Sequence, residues 1–454
     1  MIKQISDEDV GRIFFSSPVS LASFKREIIM RTMFKLLSIL ILLFAVTAEA
    51  RIYIPVNQPS DQLFPIAIPD LKGGGKGRKI AEIIRNDMRL SGYFDVLPES
   101  VLGIAGKEGI ALGDIRFSYW AGVGAQALVK GQVESKGGQL IITIRLFDPY
   151  GKEMLVGKQY KADSSNMRKV AHRFSNEIME ALTGVRGVFN TKIAFAAVSG
   201  KKSKEIFVMD MDGYKPFSVT KNKSINISPS FSPNGGSVVF TSYMRGNPDI
   251  YVSKIGGGSL RRLSSGKGSN LTPAWSPLGN PIAFASSANS LANLYTVSST
   301  GRGMHRLTRN YNIDISPSWS PGGESIVFAS ERAGGLHLFK TSAAGGGTER
   351  LTFVGYQNDM PDWSPMGDKI AFAGRDMGTF DIFIMNPDGS NIQRLTIATG
   401  SNEHPTFSPD GRLIAFSSTR EGGASLYIMR ADGTNQTRVS KGNGILPDWG
   451  PQVE

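Results

Sequence analysis

A set of four asparagines and one aspartate recurs at the same place in a repeated pattern, three residues before a proline. The members are Asn226, Asn270, Asp314, Asn358 and Asn402. Amide groups both donate and accept hydrogen bonds, and Asp314 adds a charge. Asp359, Glu403 and His404 follow directly after two of these positions. Polar groups that converge in this way are typical of a binding surface, although asparagine and aspartate are equally common in turns.

The sequence lacks the residues that most catalytic and metal-binding sites require. The 454 residues include no cysteine, which excludes disulfides, thiolate zinc sites and cysteine nucleophiles. The four histidines are scattered along the chain, and no Gly-x-Ser-x-Gly nucleophile elbow is present. A sialidase, whose acid, tyrosine and arginine cluster has no fixed spacing, is less firmly excluded. We therefore predict a protein that is not an enzyme and binds no cofactor or metal.

Composition indicates a folded, turn-rich chain with dispersed basic charge. Hydrophobic residues make up 41% and charged residues 20%, and there are 52 glycines. The formal net charge is +12, yet no basic run is longer than two residues, as at Arg261-Arg262. A nucleic-acid interface usually concentrates its lysines and arginines on one face or stripe. We therefore expect no nucleic-acid partner.

The N-terminal region predicts export. Lys35 is followed by eleven residues, 36–46, that are all apolar except Ser38, and then by the cleavage-like triplet Ala48-Glu49-Ala50. This stretch is too short to span a membrane and has the length of a signal-peptide core. We expect cleavage near Ala50, a mature chain beginning near Arg51, and a natural translation start at Met30 or Met33. No later stretch is apolar for 18 residues, so no membrane-spanning helix is expected.

The elements that must position the polar set come from an internal repeat. The motif Pro-x-[Trp/Phe]-Ser-Pro-x-Gly begins at prolines 229, 273, 317, 361 and 405, with 44 residues between successive starts. Each motif is followed by two apolar runs, a glycine-rich turn and a short closing segment. Four short strands in about 44 residues are typical of one blade of a β-propeller. The innermost strand of a blade lines the central channel, so the polar set is expected to ring one mouth.

The first and last repeats complement each other. The first unit begins directly with a second strand at Lys192 and lacks the motif, whereas Pro447-Asp448-Trp449 supplies an unattached motif at the C-terminus. Pairing the two would hide an open sheet edge. We therefore predict six blades over residues 186–454, closed by the C-terminal strand.

Residues 51–185 do not repeat and indicate a small α/β domain. Apolar residues recur at helical spacing over 80–88 and 167–182, and strand-like runs lie between them. The glycine-rich segment 72–77 lacks phosphate-loop spacing and is interpreted as a flexible loop. The first residues alternate in character, so we predict an arm that adds as a strand to a partner's sheet edge. Its candidate residues are Arg51, Ile52, Tyr53, Ile54 and Val56.

The order of these parts resembles one family. An export signal, an α/β domain, the junction Leu-Thr-Gly-Val-Arg-Gly-Val-Phe-Asn-Thr-Lys-Ile-Ala-Phe at 182–195 and the six-bladed propeller are similar to the TolB family. The resemblance implies a periplasmic component of the Tol–Pal system. Its propeller would bind the lipoprotein Pal and its arm TolA, with other outer-membrane proteins as further partners. The implied role is outer-membrane integrity and support of cell division. The alternatives are another exported propeller that binds glycans or peptides and, less favoured, a propeller hydrolase.

Overall fold

A computed structural model describes residues 63–200, 202–258, 260–264, 268–376, 378–397, 399–440 and 442–453. These described residues belong to one compact unit. The predicted signal segment, residues 1–50, and the arm residues 51–56 lie outside them. In the part of the chain that is described, no helix has both the length and the apolar character needed to cross a bilayer.

The α/β part is built on a five-stranded sheet. Its strands are β1 (Phe64–Ala67), β2 (Phe94–Val96), β3 (Ala127–Lys136), β4 (Gln139–Asp148) and β5 (Glu153–Ala162). Their order in the sheet is β2-β1-β3-β4-β5. β1 pairs in parallel with β2 and β3, and the other pairs are antiparallel. Short 3-10 helices cover Glu99–Val101, Ala105–Lys107, Leu112–Asp114 and Ser164–Asn166.

Two long helices cover this sheet, as their apolar periodicity predicts. They are α1 (Gly75–Ser91) and α3 (Met167–Thr183), and a short helix α2 (Phe117–Gly122) lies between them in the chain. α1 and α3 pack against each other, and Gly184 ends α3 in the left-handed conformation with φ of 72°. The expected α/β fold of the N-terminal region is confirmed.

The interpretation of segment 72–77 as a flexible loop is wrong. Lys72 pairs with Gln132 as an isolated bridge, and α1 begins at Gly75. A Cβ atom on Gly77 would lie 2.1 Å from the Leu71 carbonyl oxygen, far closer than real Cβ contacts. Glycine is therefore required here because the helix start packs directly against the preceding backbone.

Six four-stranded antiparallel sheets form the propeller, and they are numbered here as blades 1 to 6. Blade 1 contains β6 (Lys192–Gly200), β7 (Ser203–Asp210) and β8 (Phe217–Ser218). Blade 2 contains β9 (Asn226–Phe231), β10 (Ser237–Arg245), β11 (Asn247–Lys254) and β12 (Arg261–Arg262). Blade 3 contains β13 (Asn270–Trp275), β14 (Ile282–Ser286), β15 (Asn293–Val297) and β16 (His305–Arg306).

Blade 4 contains β17 (Asp314–Trp319), β18 (Ser325–Ser330), β19 (His337–Ser342) and β20 (Thr348–Arg350). Blade 5 contains β21 (Gln357–Trp363), β22 (Ile370–Arg375), β23 (Asp381–Met385) and β24 (Gln393–Arg394). Blade 6 contains β25 (Asn402–Phe407), β26 (Leu413–Ser418), β27 (Ser425–Arg430) and β28 (Thr437–Arg438).

The C-terminal strand closes the ring as predicted. β29 (Gly444–Trp449) is the inner strand of blade 1 and pairs antiparallel with β6, with Trp449 opposite Ile193. The motif aromatics pack between blades, as Phe231 does in a cluster with residues of blades 1 and 2. The stabilising free energy of apolar burial is roughly proportional to the area removed from water, so these junctions stabilise the packing of neighbouring blades.

Every inner strand has a bulge at the residue before its proline. The six residues are Ser228, Thr272, Ser316, Met360, His404 and Leu446, with φ between 47° and 55°. The pairing of inner and second strands shifts register at this point. A left-handed conformation is costly for residues with a side chain. Here it directs six side chains into the central channel.

Candidate partner-binding face of the propeller

The central channel is a cavity of about 620 Å³ lined by the six inner strands. Its described lining includes the carboxylates of Asp359, Asp362 and Asp448 and the imidazole of His404, but no lysine or arginine. The remainder is mostly proline, serine, threonine and aromatic side chains. The channel wall can therefore accept hydrogen bonds and carries no basic counter-charge.

A ring of hydrogen bonds around the channel ties each blade to the next. The middle residue of a Pro-x-aromatic motif accepts the backbone N–H of the aromatic residue in the following blade. The pairs are Ser230 with Trp275 (3.1 Å), Ser318 with Trp363 (3.0 Å), Asp362 with Phe407 (2.8 Å), Thr406 with Trp449 (3.1 Å) and Asp448 with Phe231 (2.7 Å). At the sixth junction Ala274 has no side-chain acceptor, and its carbonyl oxygen instead accepts the Trp319 indole N–H at 3.1 Å.

Burial changes the protonation of the channel side chains. It raises the pKa of Asp362 to about 7, against the opposing bond from the Phe407 N–H. It raises the pKa of Asp448 to about 8, against the bond from the Phe231 N–H. Burial likewise raises the pKa of Asp359 and lowers that of His404 to about 4. The channel is therefore less negative at neutral pH than its composition indicates.

We expect ionisation of Asp362 and Asp448 to cost the propeller stability as pH rises from about 4, near their ordinary pKa, to about 8. A carboxyl with a raised pKa binds its proton more tightly in the folded chain than in the unfolded chain, so ionisation favours unfolding. Asp362→Asn and Asp448→Asn together should flatten the profile by on the order of 1 kcal/mol per carboxyl, discounted for exposure to the channel. Thermal unfolding at several pH values measures this. An unchanged slope in the double variant would contradict it.

The expectation of an open asparagine rim is wrong for its five repeat members. All five are buried, with at most 4% of their surface exposed. Their partners belong to the third strand of the preceding blade or to a neighbouring arginine. The contacts are Asn226 with Glu205 (2.9 Å), Asn270 with Asp249 (3.0 Å), Asn358 with His337 (3.2 Å), Asn402 with Asp381 (2.9 Å) and Asp314 with Arg332 (2.9 Å). The four asparagines thereby join neighbouring blades, whereas Asp314 pairs within blade 4, since buried polar groups must be paired.

The three other predicted rim residues have different places. Asp359 and His404 line the channel, whereas Glu403 is half-buried and accepts the Ser401 hydroxyl at 2.6 Å. The structure therefore brings two of the eight predicted residues to the channel wall.

Removing one of these amides should destabilise the propeller. Asn402→Ala deprives both Asp381 and Arg420 of a hydrogen-bond partner, so the free energy of unfolding should fall by about 1–3 kcal/mol. Urea unfolding measures the loss, and Asn443→Ala at an exposed asparagine is the matched control. Equal stability of the two variants would show that the bridge is not stabilising.

The end of the propeller at which the chain enters the inner strands carries a group of exposed apolar side chains that the sequence analysis did not predict. They lie in the loops that enter the inner strands of blades 4, 5 and 6 and are here called the aromatic crescent. Its members are Tyr311, Phe353, Val354, Tyr356 and Ile397, each 64–95% exposed. Arg350 lies 4.8 Å from the ring centre of Phe353, and Arg375 lies 5.4 Å from that of Tyr356. Clustered exposed apolar groups mark interaction sites.

The α/β part occupies the opposite end of the propeller. It contacts the turns that join the first strand of a blade to the second strand, and the third strand to the fourth. The Tyr93 ring lies 6.0 Å from the Arg412 guanidinium and 4.5 Å from that of Arg430, and the Asn435 amide donates to the Arg89 carbonyl at 2.9 Å. The described residues of the α/β part, from residue 63 onward, therefore lie at the end of the propeller opposite the aromatic crescent.

One cluster has the composition of a metal site. Asp87, His172 and Asp212 each place a ligand-type atom within 4.8 Å of the others. The Arg168 guanidinium already pairs with Asp212, which supplies positive charge where a metal ion would bring it. We assign no metal to this cluster.

The fold and the repeat define a class: six-bladed propellers of the 44-residue Pro-x-Trp type, carried behind a small α/β domain. Residues 179–453 match the family model described as the TolB beta propeller domain, and residues 52–155 match the TolB amino-terminal domain. The chain therefore belongs to the TolB family, as the sequence resemblance implied.

Curated relatives and a solved structure agree. The chain is 35% identical over 230 residues to the Tol-Pal system protein TolB of Desulfosudis oleivorans, covering 48% of this chain and 52% of the relative. It is 33% identical over 212 residues to that of Nitrosococcus oceani, covering 45% and 48%. The chain thus spans about half the length of these relatives. The crystal structure of TolB from Acinetobacter baumannii matches with a TM-score of 0.78 and 25% identity, over 87% of this chain and 98% of that chain.

Proposed function

We propose that the chain is a non-enzymatic, periplasmic interaction module of the Tol–Pal system that binds Pal through the aromatic crescent and the adjoining channel mouth. The exposed crescent is the observation that carries this proposal, since its five apolar side chains are each 64–95% exposed at the end of the propeller opposite the described α/β residues. Aromatic and arginine side chains are the residue types that dominate binding energy in protein interfaces. Membership in a family whose curated relatives are Tol-Pal system proteins supports the choice of system.

Polar groups of the channel mouth complete the proposed surface. Glu403 is partly exposed beside the channel, and Asp359 and His404 line it. In this proposal the two acids meet basic groups of Pal. The five repeat residues predicted for the rim act indirectly, by holding the blades that carry the crescent loops.

We also propose that the arm binds TolA and that the protein is exported, with cleavage near Ala50. Arm residues Arg51, Ile52, Tyr53, Ile54 and Val56 would add as a strand to a TolA sheet edge. The domain boundary is placed between residues 185 and 186. Bridging TolA and Pal would connect the inner membrane to the outer envelope, which supports outer-membrane integrity and constriction during division.

Binding measurements with purified partners test this function. The chain from Arg51 onward is expected to capture purified Pal and purified TolA, and deletion of residues 51–60 is expected to abolish TolA capture while leaving Pal binding intact. Absence of Pal binding, with retention on a glycan column instead, would favour the alternative of a glycan-binding propeller. N-terminal sequencing of periplasmic material tests the predicted cleavage.

A further inference from the structure

A buried histidine lies where the α/β part meets the propeller. His172 on α3 is 3% exposed, and its Nδ1 atom lies 2.8 Å from the Asp87 carboxylate on α1. The His172 Nε2 atom and one Asp87 oxygen have no hydrogen-bond partner among the described residues. This pair lies within the α/β part and belongs neither to the channel nor to the aromatic crescent.

The propeller contributes the third member. Asp212 belongs to the turn between β7 and β8 of blade 1, and its side chain is 6% exposed. Its carboxylate accepts the Arg168 guanidinium and the Tyr214 backbone N–H, the latter at 3.2 Å. His172 therefore has a carboxylate of its own domain and one of the propeller within 4.8 Å.

The fixed charges around this contact leave one negative charge over, which a proton on the His172–Asp87 pair balances, and burial raises the pKa of Asp87 as well. Three carboxylates are present, Asp87, Asp210 and Asp212. Two fixed cations face them: Arg168, which pairs with Asp210 at 3.1 Å and with Asp212, and Lys192, which pairs with Asp210 at 2.6 Å. Arg168 also stacks on Tyr214 at 4.0 Å. A protonated His172 supplies the missing positive charge, and unpaired buried charge is strongly unfavourable.

We propose that His172 is a proton-operated latch, whose imidazolium holds the turn of blade 1 at Asp212 against the α/β part and whose loss of a proton loosens that contact. The second patch between the two parts, made by Tyr93, Arg412, Arg430 and Asn435, contains no histidine. It stays in place when the latch opens and acts as the pivot.

The pKa of His172 is shifted in the direction that this latch requires. Burial alone would lower its pKa, but the contact with Asp87 outweighs burial and holds the pKa above 6.5, with Asp212 adding to the effect and Arg168 opposing it. A histidine whose pKa is raised on folding stabilises its contacts fully below its ordinary pKa. It loses that stabilisation as pH rises through the raised value. The latch is therefore closed in mildly acidic solution and opens on the alkaline side.

Spin-label distances between the two parts test the proposal. The chain has no native cysteine, so cysteines at the exposed residues Lys136 and Thr300 can carry the labels. We expect a narrow distance distribution at pH 5.5 that broadens by pH 9, with a midpoint above 6.5. His172→Asn should be broad at every pH, and Asp212→Asn should remove most of the pH response while leaving the α/β core untouched. His305→Asn, at an exposed histidine of blade 3, is the control that should keep the wild-type profile.

Two results would overturn the latch: a wild-type distribution that does not change with pH, or an Asp212→Asn variant that keeps the full wild-type response. Circular dichroism melting shows whether each variant is folded. If His172→Asn fails to fold, the Asp212→Asn measurement decides alone, because its side chain belongs to the propeller turn.

Discussion

A chain that ends at residue 443 is expected to lose cooperative folding of the propeller. Removing residues 444–454 deletes β29, opens the edge of β6 and removes the Asp448 link to blade 2. The Trp449 indole, which donates to the Thr191 hydroxyl at 2.8 Å, is lost with it. We expect aggregation or a broad, low-temperature melt by circular dichroism. A chain that lacks only residues 453 and 454 should melt like the full chain.

A single substitution separates the contribution of the aromatic from that of the strand. Trp449→Ala should lower the free energy of unfolding by about 3–5 kcal/mol, the usual cost of removing a buried tryptophan. Leu278→Ala, at a side chain that is 70% exposed, is the control and should change stability by less than about 0.5 kcal/mol. A truncated chain that melts sharply at the full-length temperature would show that closure by β29 is dispensable.

Loss of the crescent aromatics should abolish most Pal binding. Alanine at a central interface aromatic typically costs about 2 kcal/mol or more, so Tyr311→Ala, Phe353→Ala and Tyr356→Ala combined should weaken Pal affinity by more than about a hundredfold. The residues are exposed, so the fold should be retained. Isothermal titration calorimetry with purified Pal measures the change.

The opposite end of the propeller offers a matched control for this experiment. Leu278 and Met366 are also exposed apolar side chains, but they belong to the turns between first and second strands. Leu278→Ala with Met366→Ala should leave Pal affinity unchanged. Wild-type affinity in the crescent variant, or an equal loss in both variants, would move the Pal surface elsewhere.

The architecture of the propeller was predictable because its signal is periodic. The 44-residue spacing fixes four strands per blade, and the unattached Trp449 motif reveals the closure. The position of the asparagines was predictable, but their burial was not, because spacing along one strand does not show what the neighbouring blade presents. The signal that could have shown it is a second periodicity: the acceptors Glu205, Asp249, His337 and Asp381 each lie 21 residues before an asparagine.

The organisation of the irregular stretch between β2 and β3 could not be predicted from the sequence pattern. Its organisation depends on a buried contact between Lys130 and Glu108 at 3.2 Å, together with the Trp120 indole, which donates to Glu108 at 3.0 Å. These residues are far apart in the chain and share no periodicity. The crescent was missed for a related reason, since exposure of an apolar loop residue depends on what the fold leaves uncovered.

The closing strand also sets an order of events during synthesis. Trp449 and Thr191, which meet in blade 1, are 258 residues apart, so blade 1 stays one strand short until almost the whole chain has been made. Loop closure over such a distance costs little more free energy than over half of it, because the entropic cost grows with the logarithm of length. The larger effect is on the folding rate, since distant pairings form slowly. Throughout that interval β6 presents an unpaired edge to other chains, so nascent chains should depend on protection from aggregation until residues 444–454 have been made.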